Sequence, residues 1–438
     1  MRDADPPRTG SRRRFLHTMA GGASALCAPI ARRAKAEAHP AKRRRQPRVV
    51  VVGGGWGGAT AARYLRLWSG GAIEVILIER DERFVSCPLS NLVLSGLRSL
   101  EQLSFSYDGL RRLGVRVVRG EAERIDPERA LVRTAAGEEL QYDRLIVAPG
   151  LDLQYDAILG YDASARERIV AAWSAGAETL ALRRQLESMP DGGVMIIAIP
   201  LAPYRCPPSP YERACQAALF LKRRGNRAKV LILDANEAIV SKPVLFGAAF
   251  KEFYADIIDY QPNNEVKEVD VKAMVVKTDF DTFKGDVLNV LPPMRAGRIA
   301  MEAGLVTANA RWCGVQWASM ESTARAGIHV LGDATLAANL MPKSGHMANQ
   351  HAKIAASAIV ADLLGQDRPR ELVIANACYS WTSDRHVIHV ASVHRYDPAA
   401  RDMLPVPGAG GLSSANSEAE RPYAEAWASG MWADMLAG

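Results

Sequence analysis

The sequence predicts an α/β protein with two Rossmann-like units, because a strand–loop–helix–strand pattern occurs twice in its 438 residues. The first pattern begins at the β-branched run 48–52, and the second begins at the apolar run 193–199. Runs of this kind are typical of parallel strands that are buried on both faces. A chain of this length has room for two or three domains. We therefore expect two interleaved α/β domains, followed by a C-terminal α+β region.

The order of these patterns along the chain sets the expected domain boundaries. A cofactor domain is split around a second, degenerate domain, and the remaining C-terminal part is expected to be an interface region. The assigned ranges are 1–36 for a targeting segment, 37–48 for a basic linker, 49–160 and 291–365 for the cofactor domain, 161–290 for the degenerate domain, and 366–438 for the C-terminal region.

The first unit carries the glycine spacing of a dinucleotide site. Gly53, Gly55 and Gly58 separate the first strand from a helix predicted over 59–67. In such a site the first glycine permits a tight turn, the second lets the backbone approach a pyrophosphate, and the third lets helix and strand pack closely. Glu79 ends the next strand, 21 residues after Gly58, where a carboxylate accepts hydrogen bonds from a ribose.

Two later segments indicate which dinucleotide is bound. The strand 142–147 runs into a small-residue turn that ends at Gly150, and the strand 328–331 ends at Gly332 and Asp333. Both segments resemble those of the two-dinucleotide-domain flavoproteins of the glutathione reductase type. The resemblance implies FAD, with Gly150 near the cofactor and Asp333 holding its ribityl chain. The alternative role for Asp333 is a helix N-cap.

The second unit has lost its glycines. Its loop, 200–209, joins a strand to a helix predicted over 210–223, and it contains four prolines, one cysteine and no glycine. Side chains and proline rings therefore fill the space in which a pyrophosphate would rest on bare backbone. We expect this domain to bind no NAD(P)H, so that the electron donor is a small molecule. The loop cysteine is Cys206.

Five segments together resemble the flavoprotein subunit of flavocytochrome c sulfide dehydrogenase. They occur in family order and extend the resemblance over nearly the whole chain from about residue 48, namely at 87–91, 204–213, 291–297, 341–345 and 376–380. The wider relatives of that family are the sulfide:quinone oxidoreductases.

The resemblance assigns roles to three of the six cysteines. It implies a redox disulfide beside the flavin between Cys206 and Cys378, and a covalent bond from Cys87 to the flavin 8-methyl group. A soft nucleophile such as hydrosulfide attacks a disulfide by thiol–disulfide exchange. A static structural disulfide is the alternative for the pair. Cys215 and Cys313 are interpreted as structural.

Two charged residues near these motifs are also candidates. Glu212 is either an acid/base or electrostatic guide near Cys206, or a carboxylate that only faces the helix dipole. Lys343 either favours the reduced, anionic flavin or is a surface lysine. The histidines lack the spacing of a metal site, since His346 and His351 are five residues apart, so we expect no metal.

The resemblance also implies a partner. The sequence contains no Cys-x-x-Cys-His, so we expect no c-type haem on this chain. In the family the haem belongs to a separate c-type cytochrome subunit, which would receive electrons taken from sulfide through FAD. A sulfide:quinone oxidoreductase and a non-catalytic flavin-bearing partner protein are the alternatives.

The N-terminal segment predicts export. A paired arginine in 11–16, a weakly apolar stretch over 19–31 and a small-x-small site at 34–36 match a twin-arginine signal, which implies a periplasmic protein. The first 48 residues carry 13 Lys/Arg against three acidic residues, whereas the whole chain has a net charge of +7. The rest is therefore net negative, which argues against nucleic acid. After Glu37 no apolar run is long enough for a transmembrane helix.

Overall fold

A seven-stranded sheet forms the first Rossmann-like unit in the computed structural model, which describes residues 45–225 and 227–438. Its strands are, in spatial order, Val315–Gln316, Glu321–Ser322, Ile328–Val330, Arg144–Val147, Arg48–Val52, Glu74–Glu79 and Arg116–Arg119. The last five are parallel, and the first two form an antiparallel edge. Arg48–Val52, the middle strand of these five, is almost completely buried, as expected of a β-branched run that is covered on both faces.

A four-stranded parallel sheet forms the second unit. Its spatial order is Ile258–Gln261, Lys229–Asp234, Val194–Ile199 and Val287–Val290. The strand Val194–Ile199 corresponds to the predicted apolar run 193–199, and it pairs with a parallel strand on each side. The predicted fold class, with two Rossmann-like units, is therefore confirmed.

Ten α-helices occur in the described residues. They are α1 Trp56–Trp68, α2 Leu92–Ser95, α3 Asp108–Arg112, α4 Ala163–Arg168, α5 Ala177–Ser188, α6 Ser209–Arg224, α7 Pro243–Tyr254, α8 Arg298–Glu302, α9 Gly345–Leu364 and α10 Arg421–Leu436. Helix α1 begins three residues before the predicted start, because Gly57 and Gly58 belong to its first turn. A Cβ on Gly58 would lie 1.7 Å from the carbonyl oxygen of Gly53, so only glycine permits this close packing.

A three-stranded antiparallel sheet and α10 form the C-terminal region. The strands are Val373–Trp381, Val387–Asp397 and Asp402–Leu412. Hydrogen bonds join the first of them to the second unit. Gln216 of α6 donates to the Trp381 carbonyl at 2.9 Å, and Tyr254 of α7 donates to the Thr382 carbonyl at 2.9 Å. These contacts hold the strand that carries Cys378 beside α6.

Smaller sheets complete the described structure. They are Leu151–Leu153 with Met294–Ala296; Glu268–Asp270, Val275–Lys277 and Thr282–Lys284; Val306–Ala308 with Trp312–Cys313; Arg83–Val85 with Ser104–Ser106; and Ala122–Asp126, Leu131–Thr134 and Glu139–Gln141.

Residues Gln46–Gly438 form one compact unit, so the domain boundaries at 160, 290 and 365 stay predictions. The twin-arginine segment and most of the basic linker lie outside the described residues. Within those residues, no helix combines the length and the apolarity that crossing a bilayer requires.

Candidate functional site

A cavity of about 490 Å³ opens at the carboxyl ends of the strands of the first sheet. This is the edge at which open α/β sheets bind ligands. The cavity is lined by the glycine loop, the acid Glu79, the Gly-Asp turn and three cysteines. The residues are Gly53, Gly55, Glu79, Gly150, Asp333, Cys87, Cys206 and Cys378. The fold therefore brings residues from positions 53 to 378 to one site.

The glycine loop leaves room for a ligand at one position. Gly53 has φ +94°, and a Cβ there would meet the Ala148 carbonyl oxygen at 2.3 Å. A Cβ on Gly55, in contrast, would have no heavy atom within 4 Å, although this residue lines the cavity. Gly53 is thus required by the turn itself, whereas Gly55 keeps a space open in front of the first turn of α1.

Two backbone amides and a tyrosine fix the position of Glu79. One carboxylate oxygen accepts the Gly54 N–H, and the other accepts the Asp81 N–H at 2.8 Å. Tyr107 donates to the Gly54 carbonyl at 3.0 Å, and burial raises the pKa of this phenol far above its usual range. The acid therefore stands at the end of its strand with a defined orientation.

Asp333 has an unused acceptor at the cavity. Its Oδ2 lies 3.8 Å from Nη1 of Arg205, and its buried Oδ1 has no hydrogen-bond partner within the described residues. A buried carboxylate oxygen without a donor is costly, so a hydroxyl-bearing ligand would complete it. The N-cap alternative does not hold, because no side chain caps the short 332–334 helix and Ser344 caps α9.

This lining fits FAD. Gly55 leaves space for a pyrophosphate at a helix N-terminus, Glu79 is placed for a ribose, and Asp333 offers an acceptor to a hydroxyl chain. Gly150, at φ +68°, lines the same cavity. Bound FAD would supply a centre that accepts two electrons together and releases them singly.

Cys206 and Cys378 are side by side. Cys206 lies in the proline-rich loop at φ +55°, where its N–H donates to the Lys343 carbonyl at 2.8 Å, and Cys378 lies on the strand Val373–Trp381. The two thiols form a hydrogen bond with each other. A non-glycine residue in the left-handed region beside a cavity is typical of a functional position.

The two thiols differ in acidity. The hydrogen bond from Cys206 lowers the pKa of Cys378, and the Lys242 ammonium acts in the same direction against the effect of burial. The same hydrogen bond, followed by burial, raises the pKa of Cys206 well above its usual value. The pair is therefore asymmetric before any substrate binds.

Glu212 does more than face a helix dipole. It is buried, and its carboxylate oxygens accept the Trp381 N–H at 2.8 Å and an Asn91 Nδ2–H at 2.8 Å. Burial raises the pKa of this carboxyl group. Glu212 does not line the cavity but joins α6 to the Cys378 strand, so the structure gives it a positioning contact rather than direct access to a substrate.

Lys343 is not the surface lysine of the alternative interpretation. It is buried rather than on the surface, and its ammonium donates to the carbonyls of Asp333, at 3.0 Å, and Thr335. The same group lies 3.7 Å above the Trp312 ring, and burial lowers its pKa to about 8. The cavity lining includes the next residue, Ser344, but not Lys343. Lys343 therefore supports the turn that carries Asp333, and its effect on the charge of the reduced flavin stays a prediction.

The other cysteines are divided between the cavity and the core. Cys87 is half-buried and lines the cavity, in the turn that follows the strand Arg83–Val85. Cys215 and Cys313 are completely buried, and burial raises the pKa of Cys313 to about 12. Buried, protonated thiols of this kind behave as small apolar side chains.

The cavity lining also includes Arg205 and His346, to which the sequence pattern assigned no role. His346 Nδ1 accepts the Ala377 N–H at 3.0 Å, directly before Cys378. Their positions within or next to the recognised segments were a signal for both. Trp427 of α10 also lines the cavity.

In the second unit, two tyrosines hydrogen-bond the acid that ends the strand Lys229–Asp234. Asp234 is completely buried, and its Oδ2 accepts hydrogen bonds from Tyr211, at 2.6 Å, and Tyr260, at 3.1 Å. In a working nicotinamide site such an acid receives a ribose. Among residues 45–225 and 227–438, no cluster of three His, Cys, Asp or Glu side chains could hold a metal ion.

Three known families match successive parts of the chain. Residues 179–292 match "Sulfide dehydrogenase (flavocytochrome c) flavoprotein chain, central", and residues 370–436 match "Flavocytochrome c sulphide dehydrogenase, flavin-binding". Residues 47–171 match "Pyridine nucleotide-disulphide oxidoreductase". The chain is a relative of the flavocytochrome c sulfide dehydrogenase flavoproteins and of the sulfide:quinone oxidoreductases. The predicted resemblance to these families is thereby confirmed.

Individual relatives agree with this assignment. The chain is 24% identical over 300 residues to the mitochondrial sulfide:quinone oxidoreductase of Dictyostelium discoideum, and 27% identical over 254 residues to the sulfide-quinone reductase of Aquifex aeolicus. These alignments span only 65% and 56% of the two relatives. The solved structure of the Aquifex aeolicus sulfide:quinone oxidoreductase has a TM-score of 0.71 at 21% identity, covering 89% of this chain and 91% of that one. This likeness supports the fold.

Proposed function

We propose that this chain is a periplasmic, FAD-dependent sulfide dehydrogenase flavoprotein that passes electrons to a c-type cytochrome subunit. One observation carries the proposal. The cavity that fits FAD is also lined by Cys206 and Cys378, whose thiols contact each other. A dithiol beside a flavin site is suited to collect two electrons from a small sulfur nucleophile.

In the proposed reaction, Cys206 and Cys378 begin as a disulfide. Hydrosulfide attacks one sulfur, a persulfide forms on that cysteine, and the other cysteine leaves as a thiolate at the cavity. Both cysteines are half-buried and line the cavity, so a small substrate can reach the pair from there. Arg205, next to Cys206 and lining the cavity, adds a positive charge that attracts an anionic substrate.

The second unit supports a donor other than NAD(P)H. Its loop presents Cys206 where bare backbone would otherwise receive a pyrophosphate, and its acid Asp234 is occupied by tyrosines. An oxidising compartment would protect the disulfide from cytosolic reductants, which agrees with the twin-arginine pattern.

A sulfide:quinone oxidoreductase is the second candidate, because several relatives carry that name. The match of residues 370–436 to the flavocytochrome c family favours the cytochrome. A non-catalytic flavin-bearing protein is the third candidate, and it predicts that sulfide leaves the flavin absorbance unchanged.

The electron acceptor can be tested with the purified holoprotein under anaerobic conditions. We expect sulfide to bleach the flavin absorbance, and a soluble c-type cytochrome to reoxidise the flavin faster than a soluble quinone does. Faster reoxidation by the quinone would support the second candidate. Absence of bleaching in protein with a full FAD load would refute sulfide oxidation altogether.

We further propose that Cys87 holds the flavin covalently, since it lines the cavity on the side of Glu79. After denaturation and gel separation, flavin fluorescence should remain on the polypeptide, and Cys87→Ser should release it. The control is Cys313→Ala, which removes a cysteine from the core and should keep the flavin attached. Complete release of flavin from the denatured wild-type protein would refute the covalent bond and leave FAD binding itself intact.

A further inference from the structure

A buried lysine contacts the strand that carries Cys378. Lys242 is 3% exposed, and its ammonium donates to the Cys378 carbonyl at 3.2 Å and to Oγ of Ser380 at 2.8 Å. The lysine immediately precedes α7 in the second unit, whereas its two acceptors belong to the C-terminal sheet. Lys242 therefore places a positive charge close to the cysteine pair, although it belongs to a distant part of the chain.

The position of Lys242 is unfavourable for a lysine in two respects. Its backbone has φ +57°, the left-handed region that non-glycine residues rarely adopt. Its ammonium is removed from water, which is costly unless anions or acceptors replace the solvent. Burial accordingly lowers the pKa of Lys242, while Cys378, Glu212, Cys206 and, further away, Glu420 favour the charged form. Such costs at one residue next to a reactive site indicate a role.

Starting from the sulfide-oxidising function proposed above, we propose that Lys242 is a positioning residue that makes Cys378, and not Cys206, the thiolate of the reduced pair. The lysine donates to the Cys378 carbonyl, and Cys378 is the strongest of its charge partners, ahead of Cys206. The other charged groups near the pair are Glu212, which disfavours both thiolates, and Arg205 and Arg213, which act on Cys206. Lys242 is the cation that acts on Cys378.

This assignment determines which sulfur sulfide attacks. The better-stabilised thiolate is the better leaving group in thiol–disulfide exchange. Hydrosulfide therefore attacks Sγ of Cys206 and forms a new S–S bond, while the Cys206–Cys378 bond breaks. The hydrosulfide proton stays on the resulting persulfide, and Cys378 leaves with the bonding electron pair as a thiolate. The exchange itself consumes no further oxidant.

Pulsed alkylation of the holoprotein, reduced with dithiothreitol, tests this asymmetry without sulfide. Iodoacetamide is applied over a series of pH values, and the Cys206 and Cys378 peptides are quantified by mass spectrometry. We expect Cys378 to be alkylated at lower pH than Cys206. In Lys242→Gln, alkylation of Cys378 near neutral pH should fall about tenfold, equivalent to about one pKa unit. Lys242→Arg should restore most of the wild-type profile.

A matched control is Lys251→Gln, which removes an exposed lysine from α7 and should leave both profiles unchanged. An unchanged Cys378 profile in folded Lys242→Gln protein would overturn the proposal, as would alkylation of Cys206 at lower pH than Cys378 in the wild type.

If Lys242→Gln does not fold, Ser380→Ala provides the test instead. That variant removes one acceptor of the ammonium and should shift the Cys378 profile in the same direction by a smaller amount.

Mapping the persulfide separates this proposal from the function on which it rests. After sulfide is added to oxidised wild-type protein, the extra sulfur should be found on Cys206. An extra sulfur on Cys378, with flavin bleaching intact, would refute the role of Lys242 and leave sulfide oxidation standing. Absence of bleaching together with a normal alkylation asymmetry would refute the proposed function and leave the role of Lys242 standing.

Discussion

Replacing either Cys206 or Cys378 with serine should reduce the rate of flavin reduction by sulfide about a thousandfold or more. The physical reason is that a serine hydroxyl can neither form the disulfide nor leave as a stabilised anion. Both residues line the FAD-fitting cavity without forming its glycine loop, so FAD should stay bound. Anaerobic stopped-flow absorbance measures the rate, and the flavin-to-protein absorbance ratio measures the FAD load.

The matched control is Cys313→Ala, a change in the core that lies away from the pair. It should lower stability slightly while sulfide still reduces the flavin at close to the wild-type rate. Dithionite should reduce the flavin in all three variants, because it needs no protein thiol. Near-normal reduction by sulfide in both serine variants would mean that the pair is structural, and the proposed mechanism would be wrong.

Gly55→Val should weaken FAD binding at least about a hundredfold, about 2.7 kcal/mol, while the apoprotein still folds. A Cβ at residue 55 meets no protein atom within 4 Å and projects into space at the cavity, so the new side chain competes with the cofactor and not with the fold. Gly55 is also at φ −70° and ψ −164°, a conformation that valine adopts readily. Flavin absorbance after purification and thermal unfolding by circular dichroism measure the two effects.

Two further glycine variants serve as comparisons for Gly55→Val. Gly58→Ala should lower stability in the apoprotein itself, because its Cβ would lie 1.7 Å from the Gly53 carbonyl oxygen. Gly430→Val introduces the same side chain as Gly55→Val into open space on an exposed face of α10, and it should keep a full FAD load. Retention of FAD by Gly55→Val would contradict the placement of the cofactor in front of this loop.

Local spacing was sufficient to predict the dinucleotide part of the site. Gly53, Gly55 and Gly58 act within six residues, and their roles follow from one turn and the first turn of one helix. The buried strands were also readable, because parallel strands covered on both faces require continuous apolar runs. The predicted run 193–199 agrees with the observed strand Val194–Ile199.

The orientation of charged side chains was not readable in the same way. Lys343 lies next to residues of the cavity but turns toward two carbonyls and the Trp312 ring. Glu212 accepts a hydrogen bond from Trp381, which is 169 residues away in sequence. Neither contact leaves a periodic or spaced signal, because each depends on how separately formed elements pack together.

The sequence by itself determined the two Rossmann-like units, the glycine loop and the loss of glycines from the second loop. These features depend on backbone conformation over a few residues, which local amino-acid choice controls directly. The contact between Cys206 and Cys378 was implied only by family resemblance, and the charge of Lys242 beside Cys378 was not foreseen. Both depend on the C-terminal strand docking against α6 and α7, and only the tertiary structure decides that docking.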